Sequence, residues 1–345
     1  MKTTLFSRRA KQISRFLTPL ALVAIFSFST AFTSYRNETR ADEAIGSSDK
    51  DEENEFESPW FRLAREGKIP QRLETSIVTY SGEYEDEDGN KREVSVALVG
   101  AIHIADAEYY KSLNEIFKEY ETVVFEMVSN GDDASLIEAI EKERQSKSKY
   151  DLSPLNAVST LQMVMGDLLG LTYQIDGIDY GAGNLVRGDM NADEFIIQLI
   201  NNGDVGAFLS DSFFSSIFDR EPNYDLESLG LAILFSNNKQ LTFKRFMANE
   251  LIKSEISDVD KERQRLDDDA NGKEEKKERE TALIQLRNKK AISAVKKELQ
   301  KGRSRIAAFY GAAHLPDMEK RLQSELNLKQ VGEPRWITAW DMTEK

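Results

Sequence analysis

Two β-forming runs, Val94 to Val99 and Ile306 to Tyr310, each lead into the same short pattern, Gly-x-x-His-x-x-Asp. The copies are Gly100-Ala101-Ile102-His103-Ile104-Ala105-Asp106 and Gly311-Ala312-Ala313-His314-Leu315-Pro316-Asp317, and they hold the only two histidines of the 345 residues. A residue that follows a strand in an open α/β sheet stands at the carboxyl edge, where such sheets bind ligands. Glycine at a strand's end lets the backbone turn or a ligand approach closely. The duplication therefore constrains the chain to a sheet in which two histidine-bearing strands end on one edge.

The surrounding pattern supports such a sheet. Ile77-Val78-Thr79-Tyr80 and Val94 to Val99 flank Glu83 to Asn90, which contains Asp88-Gly89 and reads as a hairpin connection. After His103, the residues Tyr109, Leu113, Ile116, Phe117 and Tyr120 recur at helical spacing and lead into Val123-Val124-Phe125. Strand, helix, strand predicts a parallel pair with a crossover, placing His103 and Glu126 at the ends of neighbouring strands. From Ala134 to Lys301 the pattern is mostly helical, interrupted from Leu171 to Tyr180 by a predicted short strand ending at Asp179. The phenylalanines of these helices, including Phe195, Phe208, Phe213, Phe214 and Phe218, read as core.

Asp258 to Lys301 is densely charged and reads as two solvated helices broken at residues 267–272. The second keeps an apolar stripe of Leu283, Leu286, Ile292, Val295 and Leu299 that would dock on the sheet. The expected fold class is α/β (α+β): a mixed central β-sheet flanked by helices. A helical insertion or cap, about 185–300, would separate the two Gly-x-x-His halves.

At the amino end, Lys2, Arg8, Arg9, Lys11 and Arg15 precede an uncharged stretch from Phe16 to Tyr35. Residues 1–31 thus read as a signal peptide, with Ser29-Thr30-Ala31 as a small-x-small cleavage site, or as a retained membrane anchor. Either places the domain across the cytoplasmic membrane, periplasmic or extracellular, or anchored in it by that segment alone. Residues 36–59 are rich in Asp, Glu and Ser without apolar periodicity, which describes a disordered acidic linker. The domain is then 60–345. A net charge of -14 argues against a nucleic-acid surface, which needs clustered excess Lys and Arg. With no cysteine, a metal would have to be held by histidine, carboxylate or carbonyl oxygen.

Glu126 closes an apolar strand, where an inward carboxylate is costly unless paired or metal-bound. With His103 and His314 it makes a two-histidine, one-carboxylate set suited to a divalent transition metal with open positions for water and substrate. Such an ion lowers the pKa of bound water and polarises a carbonyl. Glu126 as general base is the alternative to Glu126 as ligand. Asp106 and Asp317 fall where helices begin and read as N-caps, with an outer role behind a ligand as the other reading. Arg287 lies on a highly charged helix, either at the surface or facing an anion. No Gly-x-Ser-x-Gly elbow, His-Glu-x-x-His helix, phosphate-binding loop or dinucleotide fingerprint competes with this set.

On these residues the chain resembles the TraB/PrgY/GumN family, related to the Tiki metalloproteases and more distantly to erythromycin esterases and ChaN-like haem-binding folds. Gly100 to His103 look like its first motif, Glu126 its acidic residue after the next strand, and Gly311 to His314 its second motif. Arg287-Asn288 is similar to the family's Arg-Asn segment and Gly177-Ile178-Asp179 to its internal Gly-x-Asp. The motif order spans Leu73 to Gly332, with a charged insertion around Asp258 to Arg279 longer than the family's core needs.

The resemblance implies a metal-dependent hydrolase, foremost a peptidase, acting on a peptide or small-molecule substrate. His103, Glu126 and His314 would hold a divalent transition metal (Mn, Co, Zn or Fe) or its activated water, with Arg287 beside them. The competing expectation is a non-catalytic protein that binds a peptide signal or haem in the same crevice.

Overall fold

The computed structural model describes residues 58–145, 166–202, 232–253 and 284–344. Its sheet begins as an antiparallel meander. Strand β1 (Phe61–Glu66) turns at Gly67, whose φ of 58° favours glycine, into the 17-residue β2 (Ile69–Glu85), which pairs onward with β3 (Lys91–Ala101). The hairpin loop closes where the Asp86 carboxylate accepts the backbone N–H groups of Asp88 and Asn90. Because β1 pairs with Ile69–Thr75 and β3 with Ile77–Glu85, the two lie end to end along one edge of β2. The last strand, β9 (Lys329–Asp341), takes the other edge, antiparallel over Arg72–Ser81.

The second half of the sheet is parallel. After a two-residue strand β4 (Ile104–Ala105), helix α1 (Ala107–Phe117) carries the chain to β5 (Thr122–Phe125). Strand β7 (Leu185–Arg187) pairs parallel to β5 at the sheet's end, and β8 (Arg305–Gly311) pairs parallel to both β3 and β5. The expected adjacency of β3 and β5 is thus corrected: β8 lies between them. Local pattern reveals a crossover but not whether a distant strand fills the gap it leaves. The mixed sheet of seven strands flanked by helices is the expected class.

Alternation along β8 assigns the layers. Phe309 packs edge to face on Phe117 of α1, with ring centroids 5.2 Å apart. Tyr310 necessarily points to the other face, toward helix α4 (Gln285–Gln300), preceded by α2 (Asp133–Gln145) and α3 (Ala192–Asn202) in the chain. Helix α4 buries Asn288, Ala291, Ile292, Val295 and Leu299, a three- and four-residue recurrence that lays one stripe on β5 and β8. Helix α5 (Leu315–Leu326) packs beside it.

Two further expectations change. Residues 171–180 yield only a two-residue strand β6 (Thr172–Tyr173), paired to β4, and then a single helical turn (Gln174–Gly177), so Asp179 does not end a strand. Residues 185–187, expected to begin a helical insertion, belong to the sheet. The N-terminal segment, most of the acidic linker, Phe208 to Phe218 and the break at 267–272 lie outside the described residues. Of the linker, Ser58 and Pro59 are described: Ser58 is buried, and the Pro59 carbonyl accepts from the Ser76 hydroxyl. Among the described residues no helix is long and apolar enough to cross a membrane.

Candidate functional site

Three adjacent parallel strands, β3, β8 and β5, end at one edge, with Ala101 opposite Gly311 and Phe309 opposite Phe125. Each delivers one chemically active side chain just beyond its end. His103 follows β3 in a bend, Glu126 follows Phe125 directly, and His314 closes a single 3-10 turn after β8. The two copies of the motif then diverge. Beyond His103 the chain makes β4 before its helix, whereas α5 starts immediately after His314.

Gly311 explains how Glu126 is held. Its N–H reaches the carboxylate Oε2 at 2.8 Å, and the Glu126 N–H is tied to Phe309 O at 3.1 Å, so backbone fixes the side chain's root and tip. A Cβ on Gly311 or Gly100 would meet only ordinary contacts, and neither has positive φ. The motif glycines therefore answer to no local strain; at Gly311 the bare backbone leaves its N–H beside the acid.

The other carboxylate oxygen faces Arg287 and His314. Arg287 Nη2 stands 2.7 Å from Glu126 Oε1, and His314 Nε2 stands 3.5 Å from the same atom. Arg287 also grips Asp189 with two bonds, Nε to Oδ1 at 2.9 Å and Nη2 to Oδ2 at 2.5 Å, and its guanidinium lies 5.7 Å from the Phe195 ring centroid. Burial by itself disfavours the guanidinium, but the charges of Asp189 and Glu126 overrule it and raise the Arg287 pKa. Glu126 shows the mirror image: burial pushes its carboxyl up, yet His314, Arg287 and, more weakly, His103 hold it well below the usual range. The acid is an anion held by the Arg287 guanidinium and the Gly311 N–H, not a neutral carboxyl.

His103 completes the crevice from the far side. Burial lowers its pKa, opposed by Glu126 and by the Gln174 amide and assisted by Arg287 and His314. Yet the residue is exposed to solvent. Solvent therefore reaches the ring at the carboxyl edge of the sheet, where ligands of such sheets bind. Gln174 sits behind it: its N–H donates to His103 O at 2.8 Å and its Nε2 to Tyr180 Oη at 2.8 Å, leaving a buried Oε1 without an aligned donor.

The remaining expected residues separate into a support layer and bystanders. Asp317 is not an N-cap. It lies in the first turn of α5, where it accepts from Asn288 Nδ2 at 2.9 Å and Arg321 Nε at 2.7 Å. Asn288 in turn touches His314 Nδ1 at 2.6 Å, so Asp317 acts behind the histidine. Asp106 occupies the N-cap position of α1 without capping through its side chain; its carboxylate takes Lys244 Nζ at 2.8 Å and the Asp341 N–H at 2.5 Å. Asp179 is exposed and bonds the Gly181 N–H, away from the crevice.

Asp189 and Gln174 are the residues that sequence reasoning missed. The only local sign of Asp189 was Gly188-Asp189 after the short run Leu185-Val186. Gln174 carried no sign at all.

His314 Nε2 and Glu126 Oε1 have the spacing of two donors sharing one ion at about 2.0–2.2 Å. The triad is not closed, however: among the described residues no group of three His, Asp or Glu side chains is set to hold an ion, and Arg287 already rests on Oε1. Comparison with protein-family models, with curated proteins and with solved structures finds no match to this chain.

Proposed function

We propose that this crevice is the active site of a metal-dependent hydrolase, foremost a peptidase, that is exported or anchored by its N-terminal segment. The observation that carries the reading is the convergence of His103, Glu126, His314 and Arg287 from three strand ends and a helix separated by up to about two hundred residues of chain. The resemblance to the TraB/PrgY/GumN family supports the same choice.

His103 is the side chain to which a water in the crevice has access. Its lowered pKa keeps it neutral near pH 7, with a ring-nitrogen lone pair available to a metal. Glu126, held ionised, orients the water or steadies positive charge that develops on the imidazoles. Arg287 neutralises Glu126 and Asp189 so that two carboxylates can share a buried site. A divalent metal held by His103, Glu126 and His314 would, when bound, activate the water and polarise the scissile carbonyl.

The test is metal analysis of the purified chain, its His103→Ala and His314→Ala variants, and peptide-cleavage assays on all three. Stoichiometric metal lost from both variants, together with cleavage, is the expected result; unchanged metal content in the variants sinks the reading. Haem or peptide capture without cleavage, abolished by the same substitutions, would assign the crevice to binding instead.

A further inference from the structure

We infer that Asn288 is a positioning residue that locks His314 in the tautomer protonated at Nδ1, turning a bare Nε2 lone pair toward Glu126. The amide's own orientation is fixed by its neighbours. Its Nδ2 lies 3.0 Å from the His314 carbonyl oxygen and 2.9 Å from Asp317 Oδ2, and both of these can only accept. A flipped amide would press its oxygen against a carbonyl and a carboxylate. Asp317 is kept an acceptor by Arg321, whose Nε bonds the same Oδ2 at 2.7 Å.

With Nδ2 fixed on that side, Oδ1 is the atom that meets His314 Nδ1 at 2.6 Å. A carbonyl oxygen cannot donate, so Nδ1 must carry the hydrogen. Asn288, His314 and Asp317 are all buried, at 0%, 4% and 3% exposure, so solvent offers the ring little alternative. The hydrogen's position follows from the network rather than from any titration.

The consequence lies on the far side of the ring. In a neutral imidazole bearing hydrogen on Nδ1, Nε2 is an acceptor, and it faces Glu126 Oε1, also an acceptor, across 3.5 Å. Two lone pairs so opposed call for a hydrogen or a cation between them, supplied by what enters the crevice. Consecutive residues of α4 therefore divide the work: Arg287 sets the charge of Glu126, and Asn288 sets the face of His314.

The chain's two histidines make a direct test practical. Full-length protein labelled with [15N]histidine and dialysed against chelator gives two imidazole spin systems in a two-bond 1H–15N correlation spectrum, recorded at a pH where imidazole is neutral. The His103→Ala variant assigns them. The expected spectrum shows a pyrrole-like Nδ1 and a pyridine-like Nε2 for His314.

Asn288→Leu, confirmed folded by its unchanged His103 signals, is expected to shift His314 to a mixture dominated by the Nε2–H form. A wild-type His314 protonated on Nε2, alone or on both nitrogens, overturns the inference. So does a folded Asn288→Leu variant that keeps the Nδ1–H form. Should that variant not fold, the wild-type spectrum alone decides. Neither metal nor substrate enters the experiment, so its failure is distinct from a failure of the hydrolase reading.

Discussion

Arg287, with its side chain 12% exposed, bridges two carboxylates, and Asp189 at 0% is the more deeply sequestered. Removing one partner of a buried ion pair strands the other charge, at a cost of about 3–5 kcal/mol. Arg287→Ala, which strands both carboxylates, is therefore expected to lower stability by about 3–5 kcal/mol in urea unfolding, and to loosen Glu126 enough to reduce any cleavage by about tenfold or more. Acid should act in two stages. The folded pKa of His103 is lowered, so its contribution is intact above the ordinary value of 6.5 and declines below it, as the unfolded chain takes up a proton that the folded chain resists. The carboxyl of Glu126, also lowered, keeps its contribution above 4.5 and loses it as pH falls toward the folded value. Urea midpoints measured across pH should fall from about 6.5 downward, and His103→Asn should remove the upper stage alone. The placement of His103 and His314 was legible because a rare residue type was duplicated after strand-like runs, and that of Glu126 because it closes an apolar strand. Asp189 was not, because its meaning comes from a partner 98 residues away and Asp is common in any polar loop.

Strand β7 shows the same limit one level up. It is three residues long, too short for alternation to register, and its place in the sheet depends on close contact at Gly188. A Cβ there would come within 2.2 Å of Val124 Cγ1 and 2.7 Å of Tyr310 Oη. Gly188→Ala is expected to cost about 1–3 kcal/mol through overpacking, and to displace Asp189 next door. Thermal unfolding would report the first effect, and a changed His103 imidazole signal the second. Helices α1, α4 and α5 were legible throughout, since their buried residues recur at three and four positions. Strand β9 escaped notice because Gly332, Pro334 and exposed polar residues interrupt its pattern. An edge strand tolerates all three, and its unpaired side lets proline lack an N–H without breaking a ladder.

At the scale of the whole molecule, β9 ties the chain's end to the back of the crevice. Trp340 is fully buried and its Nε1 donates to Ile104 O at 2.7 Å, one residue beyond His103. Lys244 and Asp341 converge on Asp106 just after it. Trp340→Ala is expected to cost about 3–5 kcal/mol, and Trp340→Phe about 1–3 kcal/mol, since it leaves the buried Ile104 carbonyl without this donor; thermal unfolding of both checks the order. What remained illegible at this scale was strand order, because nothing local to β3, α1 or β5 reserves a slot for β8. That slot governs how the protein comes into being. A ribosome that has released β3, α1 and β5 has made two strands with nothing between them, and the missing partner emerges only after nearly two hundred further residues. Until then both strands expose ladder edges that invite misassembly. His314 arrives with the strand that covers them, so the crevice is completed and both edges are covered in one late step, and no shorter translation product can possess the first without the second.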